Sequence, residues 1–168
     1  MSIFLGLGSN VGEKHKNLSL GCKLIEALPV VDLVKISSIY ETPPMYNTNQ
    51  ATFLNMVVKI FTSCTPHELL IKVKDIETNL GRNIDNGHNL PRILDIDIFA
   101  YGSEQVIDDN LTIPHPRIFE RRFVLQPWSD IEEDFILVGM NKSIKSLLRD
   151  TPDKSVIKLT HFSIEGIA

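Results

Sequence analysis

Cysteine is scarce in this sequence: only Cys22 and Cys64 occur among 168 residues. Two thiols at this separation make neither a disulfide framework nor a zinc motif, so both are expected to be free in a reducing compartment. Excess positive charge is missing as well, because 17 Lys and Arg face 21 Asp and Glu for a net charge of −4. That balance excludes a protein held on nucleic acid by a general basic field, and any anion site has to be built locally. No apolar run reaches membrane-spanning length, and the opening Met1-Ser2-Ile3-Phe4-Leu5-Gly6 lacks the basic stretch of a signal peptide. The expectation is a soluble, cytoplasmic protein with no membrane partner. Repeats and low-complexity tracts are absent too, and a chain of this length fits one domain, residues 1–168, with one active site.

What is present is a globular balance of 43% hydrophobic and 23% charged residues. Ile3 to Leu7 reads as a buried strand ended by Gly8-Ser9-Asn10-Val11-Gly12. Leu18, Cys22, Ile25 and Leu28 then recur at helical spacing, with Lys14, Lys16, Lys23 and Glu26 on the wet face. Val30 to Tyr40 is rich in β-branched residues and stops at Glu41-Thr42-Pro43-Pro44, and after a polar loop Phe53 to Phe61 gives a third strand. Thr65-Pro66-His67-Glu68 is a capping box with proline at the first helical position; Leu69, Leu70, Val73, Ile76 and Leu80 line one face of the helix it opens. A second long loop, Arg82 to Ile93, precedes the alternating strand Leu94-Asp95-Ile96-Asp97-Ile98. Strand, helix, strand, strand, helix, strand is the split βαβ order. The fold class it predicts is α+β: a ferredoxin-like core, an antiparallel sheet with both helices on one face, and extra C-terminal elements.

Asp95 and Asp97 stand two apart on a strand, so both carboxylates project from one face about 6.5 to 7 Å apart. Aspartate is disfavoured in strands and the two repel each other; bound magnesium relieves the repulsion, and a solvated edge strand is the other reading. Arg92 stands just before this strand, and Glu77 and Arg82 at the end of the second helix, where guanidinium groups can approach a triphosphate held by such metals; taken singly, each Arg reads as a surface residue. His115 and Arg121, with Arg117 and Arg122, add a basic segment after the turn Pro114-His115-Pro116, read either as a local polyphosphate site or as a solvated charged helix. Asn55 interrupts an apolar strand on the face of Phe53 and Val57 and needs hydrogen-bond partners, which a flat heterocycle supplies. Phe53 and Phe123 offer faces on which such a ring stacks, with ordinary core packing as the other reading of each. Gly6-x-Gly8-Ser9-Asn10-x-Gly12 fits neither the dinucleotide nor the Walker pattern and reads as a turn and close-approach site.

Leu7-Gly8-Ser9-Asn10-Val11-Gly12, Ser37-Ser38-x-Tyr40-x-Thr42-Pro43-Pro44, Phe53-Leu54-Asn55, the pair Glu77 and Arg82, Pro91-Arg92-x-Leu94-Asp95-Ile96-Asp97 and Ile113-Pro114-His115-Pro116 belong together. In order and spacing they closely resemble the hydroxymethyl-dihydropterin pyrophosphokinase family of folate biosynthesis, from about residue 3 to about residue 127. The resemblance implies transfer of pyrophosphate from ATP to the hydroxymethyl group of 6-hydroxymethyl-7,8-dihydropterin, by attack on the β-phosphorus with release of AMP. It implies two magnesium ions on Asp95 and Asp97, with Arg82 and Arg92 beside them as catalytic residues. It places ATP on Glu77, Arg82, Arg92, Ile98, Thr112, His115 and Arg121. The pterin then lies along Thr42, Pro43 and Pro44, is read by Asn55, and is stacked between Phe53 and Phe123.

The implied partners are these small molecules, together with association with neighbouring folate-pathway enzymes. The chain departs from the family pattern between Arg82 and Arg92, where a further Arg and a Trp are usual and this sequence has Ile84, His88, Asn89 and Leu90. Lys74 and Asn110 also replace residues that contact nucleotide in familiar members. Loops 42–52 and 82–93 are expected to be mobile when empty and to order over bound substrates, because excluding water protects phosphoryl transfer. Nucleotidyl cyclases and polymerase palms put a paired-aspartate site on the same fold, and some RNA-binding modules share it. The Thr42-Pro43-Pro44 and Phe53-x-Asn55 elements favour a pterin acceptor, and the acidic balance counts against RNA.

Overall fold

The computed structural model describes residues 1–44, 49–81 and 91–164. Strand β1 (Ile3–Ser9) is buried along its whole length and leads into α1 (Lys14–Glu26), which buries Leu18, Gly21, Cys22 and Ile25. Lys14 leaves the wet face assigned to it: its ammonium donates to the Thr52 carbonyl at 2.8 Å and to the Thr52 hydroxyl at 3.1 Å. The stretch expected to form one second strand is divided into β2 (Val31–Ile36) and β3 (Tyr40–Thr42). Ser37 makes the break: its N–H still donates to the Val57 carbonyl at 2.9 Å, but its hydroxyl takes the Val57 N–H at 2.9 Å and donates to the Ser38 carbonyl at 2.7 Å, so a side chain replaces one ladder bond. Both pieces pair with β4 (Phe53–Thr62). The capping box of Thr65 and Glu68 opens α2 (Pro66–Asn79), which buries Leu69, Val73, Ile76 and also Glu77. Strand β5 (Asp95–Tyr101) follows.

A hairpin of β6 (Val106–Ile107) and β7 (Thr112–Ile113) comes next, then a 3-10 turn at Ile118–Glu120 and helix α3 (Arg122–Glu132). The chain continues through a hairpin of β8 (Ile136–Leu137) and β9 (Lys142–Ser143), then α4 (Ile144–Asp150) and β10 (Lys158–Leu159). The main sheet runs β10-β3-β4-β1-β5 with β2 also beside β4, and every pairing is antiparallel. With β1 and β4 central and β5 at an edge, this is the expected ferredoxin-like order.

Alternation along the strands sends side chains into two cores. Leu5, Leu7, Leu54, Met56, Ile96 and Ile98 face α1 and α2, while Phe4, Val57, Phe99 and Ala100 meet Trp128 and the C-terminal helices on the other side. Residues beyond Trp128, which carry no functional motif, contribute Ile131, Leu137, Ile144 and Leu147 to that second core. Cys22 is buried and free, its thiol pushed up to about 12 chiefly by burial, and Cys64 is free as well. Among the described residues no helix is long and apolar enough to cross a membrane.

Candidate active site

Gly6 and Gly8 of β1 stand opposite Asp97 and Asp95 of β5 on one side, and opposite Val57 and Asn55 of β4 on the other. Alternation therefore puts Phe53, Asn55, Gly8, Asp95 and Asp97 on the face of the sheet that carries the aromatic core, beyond its end. A Cβ on Gly8 would come within 2.8 Å of Asn55 Oδ1, and one on Gly6 would collide with the Phe99 ring. The close approach expected at these glycines is present, but Gly6 and Gly8 lie within the strand and not in a turn. Asn55 is buried and its amide donates to the hydroxyl of Thr42, also buried, at 2.7 Å. Pro43 is exposed, Pro44 and Phe53 are half-buried, and Phe123 packs partly against the second core with the Arg121 guanidinium 5.8 Å from its ring centre.

Asp95 is paired with Arg92 at 2.7 Å, and each of the two side chains is about 21% exposed. Asn10 fixes the backbone of Arg92 from the end of β1: its side-chain oxygen accepts the Arg92 N–H at 2.8 Å, and its own N–H donates to the Arg92 carbonyl at 3.2 Å. Burial pushes the Asp97 carboxyl up to about 6; the Asp95 charge adds to this, while Lys74 and Arg121 oppose it. Burial holds the His115 imidazole down to about 4, with the Arg121 charge as the next cause, so the ring is neutral at pH 7. The His115 backbone N–H donates to the Phe99 carbonyl at 3.0 Å, directly after a cis Ile113–Pro114 peptide.

Strand β5 is an edge strand, and the polar groups of Ile96 that turn away from β1 are met by α2. Glu77 accepts the Ile96 N–H at 2.6 Å, and Lys74 donates to the Ile96 carbonyl at 3.1 Å and to the Glu77 carboxylate at 3.0 Å. Burial raises the Glu77 carboxyl above the usual carboxylate range against the pull of Lys74. A cavity of about 290 Å³ lies along this edge, with Lys74, Asp97, Ile98, Asn110, Thr112 and His115 in its walls. Its outer wall, the loop between β6 and β7, is held by Asp108: one oxygen accepts the Asn110 and Leu111 N–H groups at 2.9 Å, and the other lies 2.7 Å from His67 Nε2.

Of the residues singled out in the sequence, the structure brings Asp95, Asp97, Arg92, His115 and Arg121 into one charged neighbourhood. Ile98 and Thr112 line the cavity beside it, and Thr42, Asn55 and Phe53 gather on the glycine-floored face. Arg82 and the atypical Ile84, His88, Asn89 and Leu90 lie outside the described residues, as do residues 45–48 of the first expected lid loop. Arg117 is turned to Glu120 at 3.2 Å, and the Arg122 N–H donates to Asp153 at 2.8 Å. In the sequence Asn10 reads only as part of the glycine-rich turn, and Lys74 only as replacing a residue that contacts nucleotide in familiar members; neither was expected to hold the site's backbone. A polar residue just after a buried strand was the signal for Asn10, and a lysine one turn before Glu77 was the signal for Lys74. Hard carboxylate oxygens beside a cavity of this size suit magnesium, which takes one or two carboxylates and leaves its other positions to water and phosphate. Among the described residues no group of three or more His, Cys, Asp or Glu converges as a self-sufficient metal cage.

The family model for 7,8-dihydro-6-hydroxymethylpterin-pyrophosphokinase matches residues 4–133, from β1 to the end of α3. The 2-amino-4-hydroxy-6-hydroxymethyldihydropteridine pyrophosphokinase of Methylorubrum extorquens is 42% identical over 136 residues, 81% of this chain and 85% of that protein. The Bacillus subtilis protein of the same name is 41% identical over 128 residues, 76% of each chain. Among solved structures, wild-type Plasmodium falciparum HPPK-DHPS with pteroate matches with a TM-score of 0.70 at 15% identity. That match covers 88% of this chain and 42% of the longer one, and it shows likeness of fold alone. With the family model covering well over half of its length, the chain belongs to the 7,8-dihydro-6-hydroxymethylpterin-pyrophosphokinase family.

Proposed function

We propose that the glycine-floored face of the sheet takes the pterin, that the cavity along β5 takes ATP, and that Asp95 and Asp97 stand where the two meet. As a member of its family the chain is an enzyme of folate synthesis, a pyrophosphokinase that acts on 6-hydroxymethyl-7,8-dihydropterin with ATP as co-substrate. Moving two phosphates from ATP to the hydroxymethyl oxygen leaves AMP. The observation that carries the assignment of places is the position of Asp97. It lines the cavity, and it is also paired with Gly6 on the face that holds Asn55.

In this reading Asp95 and Asp97 hold two magnesium ions. When bound, magnesium neutralises phosphate charge and makes the acceptor hydroxyl a better nucleophile. Arg92, His115 and Arg121, with Arg82 from the loop after α2, bind and orient the phosphates, and Ile98 and Thr112 line the adenosine. Glu77 serves the nucleotide site from the α2 side. Asn55, held by Thr42, reads the polar edge of the pterin; Pro43 and Pro44 run along it, and Phe53 and Phe123 stack on its two faces. The reading treats residues 1–168 as one domain acting in the cytoplasm, where both thiols stay reduced. Association with a neighbouring folate-pathway enzyme is part of it, supported by the joined name of the longer HPPK-DHPS chain.

Kinetics and binding of the aspartate variants test these roles. Asp95→Ala and Asp97→Ala are each expected to lower kcat by at least about 10³-fold while pterin affinity falls less than about tenfold, because charge stabilisation is needed mainly in the transition state. Equal losses of turnover and pterin binding would contradict the assignment.

A further inference from the structure

We infer that Lys74 and Glu77 act together as positioning residues that set the spacing and direction of the Asp95 and Asp97 carboxylates by gripping the peptide groups of Ile96; this rests on the reading of those aspartates as the metal-holding pair. Ile96 is the residue between them, so whatever fixes its backbone fixes both neighbours. Its side chain is fully buried in the core under α1 and α2. On one side β1 holds the strand through the pairings of Gly6 with Asp97 and Gly8 with Asp95. On the other side an edge strand normally leaves its N–H and C=O groups to water, where they accept many geometries. Here the N–H goes to Glu77 at 2.6 Å and the carbonyl to Lys74 at 3.1 Å.

The two side chains also bind each other at 3.0 Å, one turn apart on α2, so the grip is a closed set of three contacts on a rigid helix. Glu77 is 1% exposed, which sets this pair apart from a surface ion pair that contributes little. Its buried carboxylate needs both the Ile96 N–H and the Lys74 ammonium to remain in place. Lys74, 38% exposed, is at the same time part of the cavity wall proposed for ATP. Groups that hold metal ligands in position from behind are costly to lose, typically by about 10- to 100-fold in metal affinity.

The test compares the full chain with Lys74→Met, which keeps an unbranched apolar stem one atom shorter but loses all three donors, and with Lys74→Arg, which restores a cation. Amide exchange at Ile96 is read by NMR. Manganese affinity is read by electron paramagnetic resonance in the presence of a non-hydrolysable ATP analogue, and pterin affinity by calorimetry. Lys74→Met is expected to speed Ile96 exchange and to weaken manganese binding by about tenfold, with pterin affinity within about twofold and most of the loss recovered in Lys74→Arg. Unchanged Ile96 exchange and manganese affinity would overturn the inference. So would a parallel fall in metal affinity, pterin affinity and melting temperature, which marks general loosening. If the unaltered protein itself binds no manganese with the analogue, the metal reading falls and the inference with it; if it binds and Lys74→Met binds equally, the inference alone falls.

Discussion

A methyl group on Gly8 has no room, because Asn55 Oδ1 would lie 2.8 Å from it. Gly8→Ala therefore has to push Asn55 away from the position in which Thr42 holds it. The expected result is a rise of about tenfold in KM for the pterin, equivalent to about 1.4 kcal/mol, with KM for ATP nearly unchanged. Varying each substrate in turn checks this, and an equal rise for both would contradict it. His115 supplies a pH prediction. Its folded value near 4 lies below the ordinary 6.5, so both states are neutral above pH 7. As pH falls through 6.5 only the unfolded chain takes up the proton, and stability is lost down to about 4; that gap is worth on the order of 3 kcal/mol. Asp97 works the other way, since its raised value favours the protonated folded state as pH falls below about 6. Urea unfolding at pH 7.5 and pH 5 should therefore show a smaller acid loss in His115→Gln than in the unaltered protein, and identical pH dependence would contradict the buried neutral imidazole. At this scale Asp95 and Asp97 were legible because clean alternation puts two carboxylates, disfavoured in strands, on one face, and Asn55 because it interrupts an apolar strand. Gly8 was legible only in part: its close approach was expected, but glycine signals a turn until the strand opposite it is known.

At the scale of elements, α2 was fully legible, since its capping box and apolar spacing are local signals. The division of the second strand was not: Ser37 breaks the ladder through a hydroxyl bond to Val57 that only a neighbouring strand makes possible. The C-terminal third was illegible for a different reason. Helix α3 contains Pro127 and α4 has seven residues, so neither presents a long periodic stretch. What fixes α3 is contact with the sheet, and α4 packs in turn on α3: Lys35 donates to the Ile131 carbonyl at 3.1 Å, Tyr40 to Asp130 at 3.0 Å, and Lys59 pairs with Glu132 at 2.5 Å. Leu147 of α4 is fully buried in this second core. Leu147→Ala is expected to cost about 3 kcal/mol in chemical unfolding while leaving kcat within about twofold at temperatures where the variant is folded. A change below about 0.5 kcal/mol would mean that the C-terminal helices decorate the sheet without stabilising it.

For the whole molecule, a net charge of −4 has to coexist with binding of a triphosphate. In the proposed reading the fold does this by concentration. Arg92 sits beside Asp95, Arg121 is close enough to act on both Asp97 and His115, and Lys74 stands in the cavity wall, while most other charge stays on outer surfaces. The ferredoxin-like order of the core strands was readable from hydrophobic pattern; the second core on the far face of the sheet, and the meeting of the cavity along β5 with the glycine floor at Asp97, required the folded arrangement. Phosphorus NMR of the protein with ATP, magnesium and 6-hydroxymethyl-7,8-dihydropterin tests the central claim most directly. AMP and a pterin diphosphate are expected to appear together and in equal amounts, at a rate that depends on the pterin; formation of ADP with a pterin monophosphate, or AMP released without a pterin product, would contradict it.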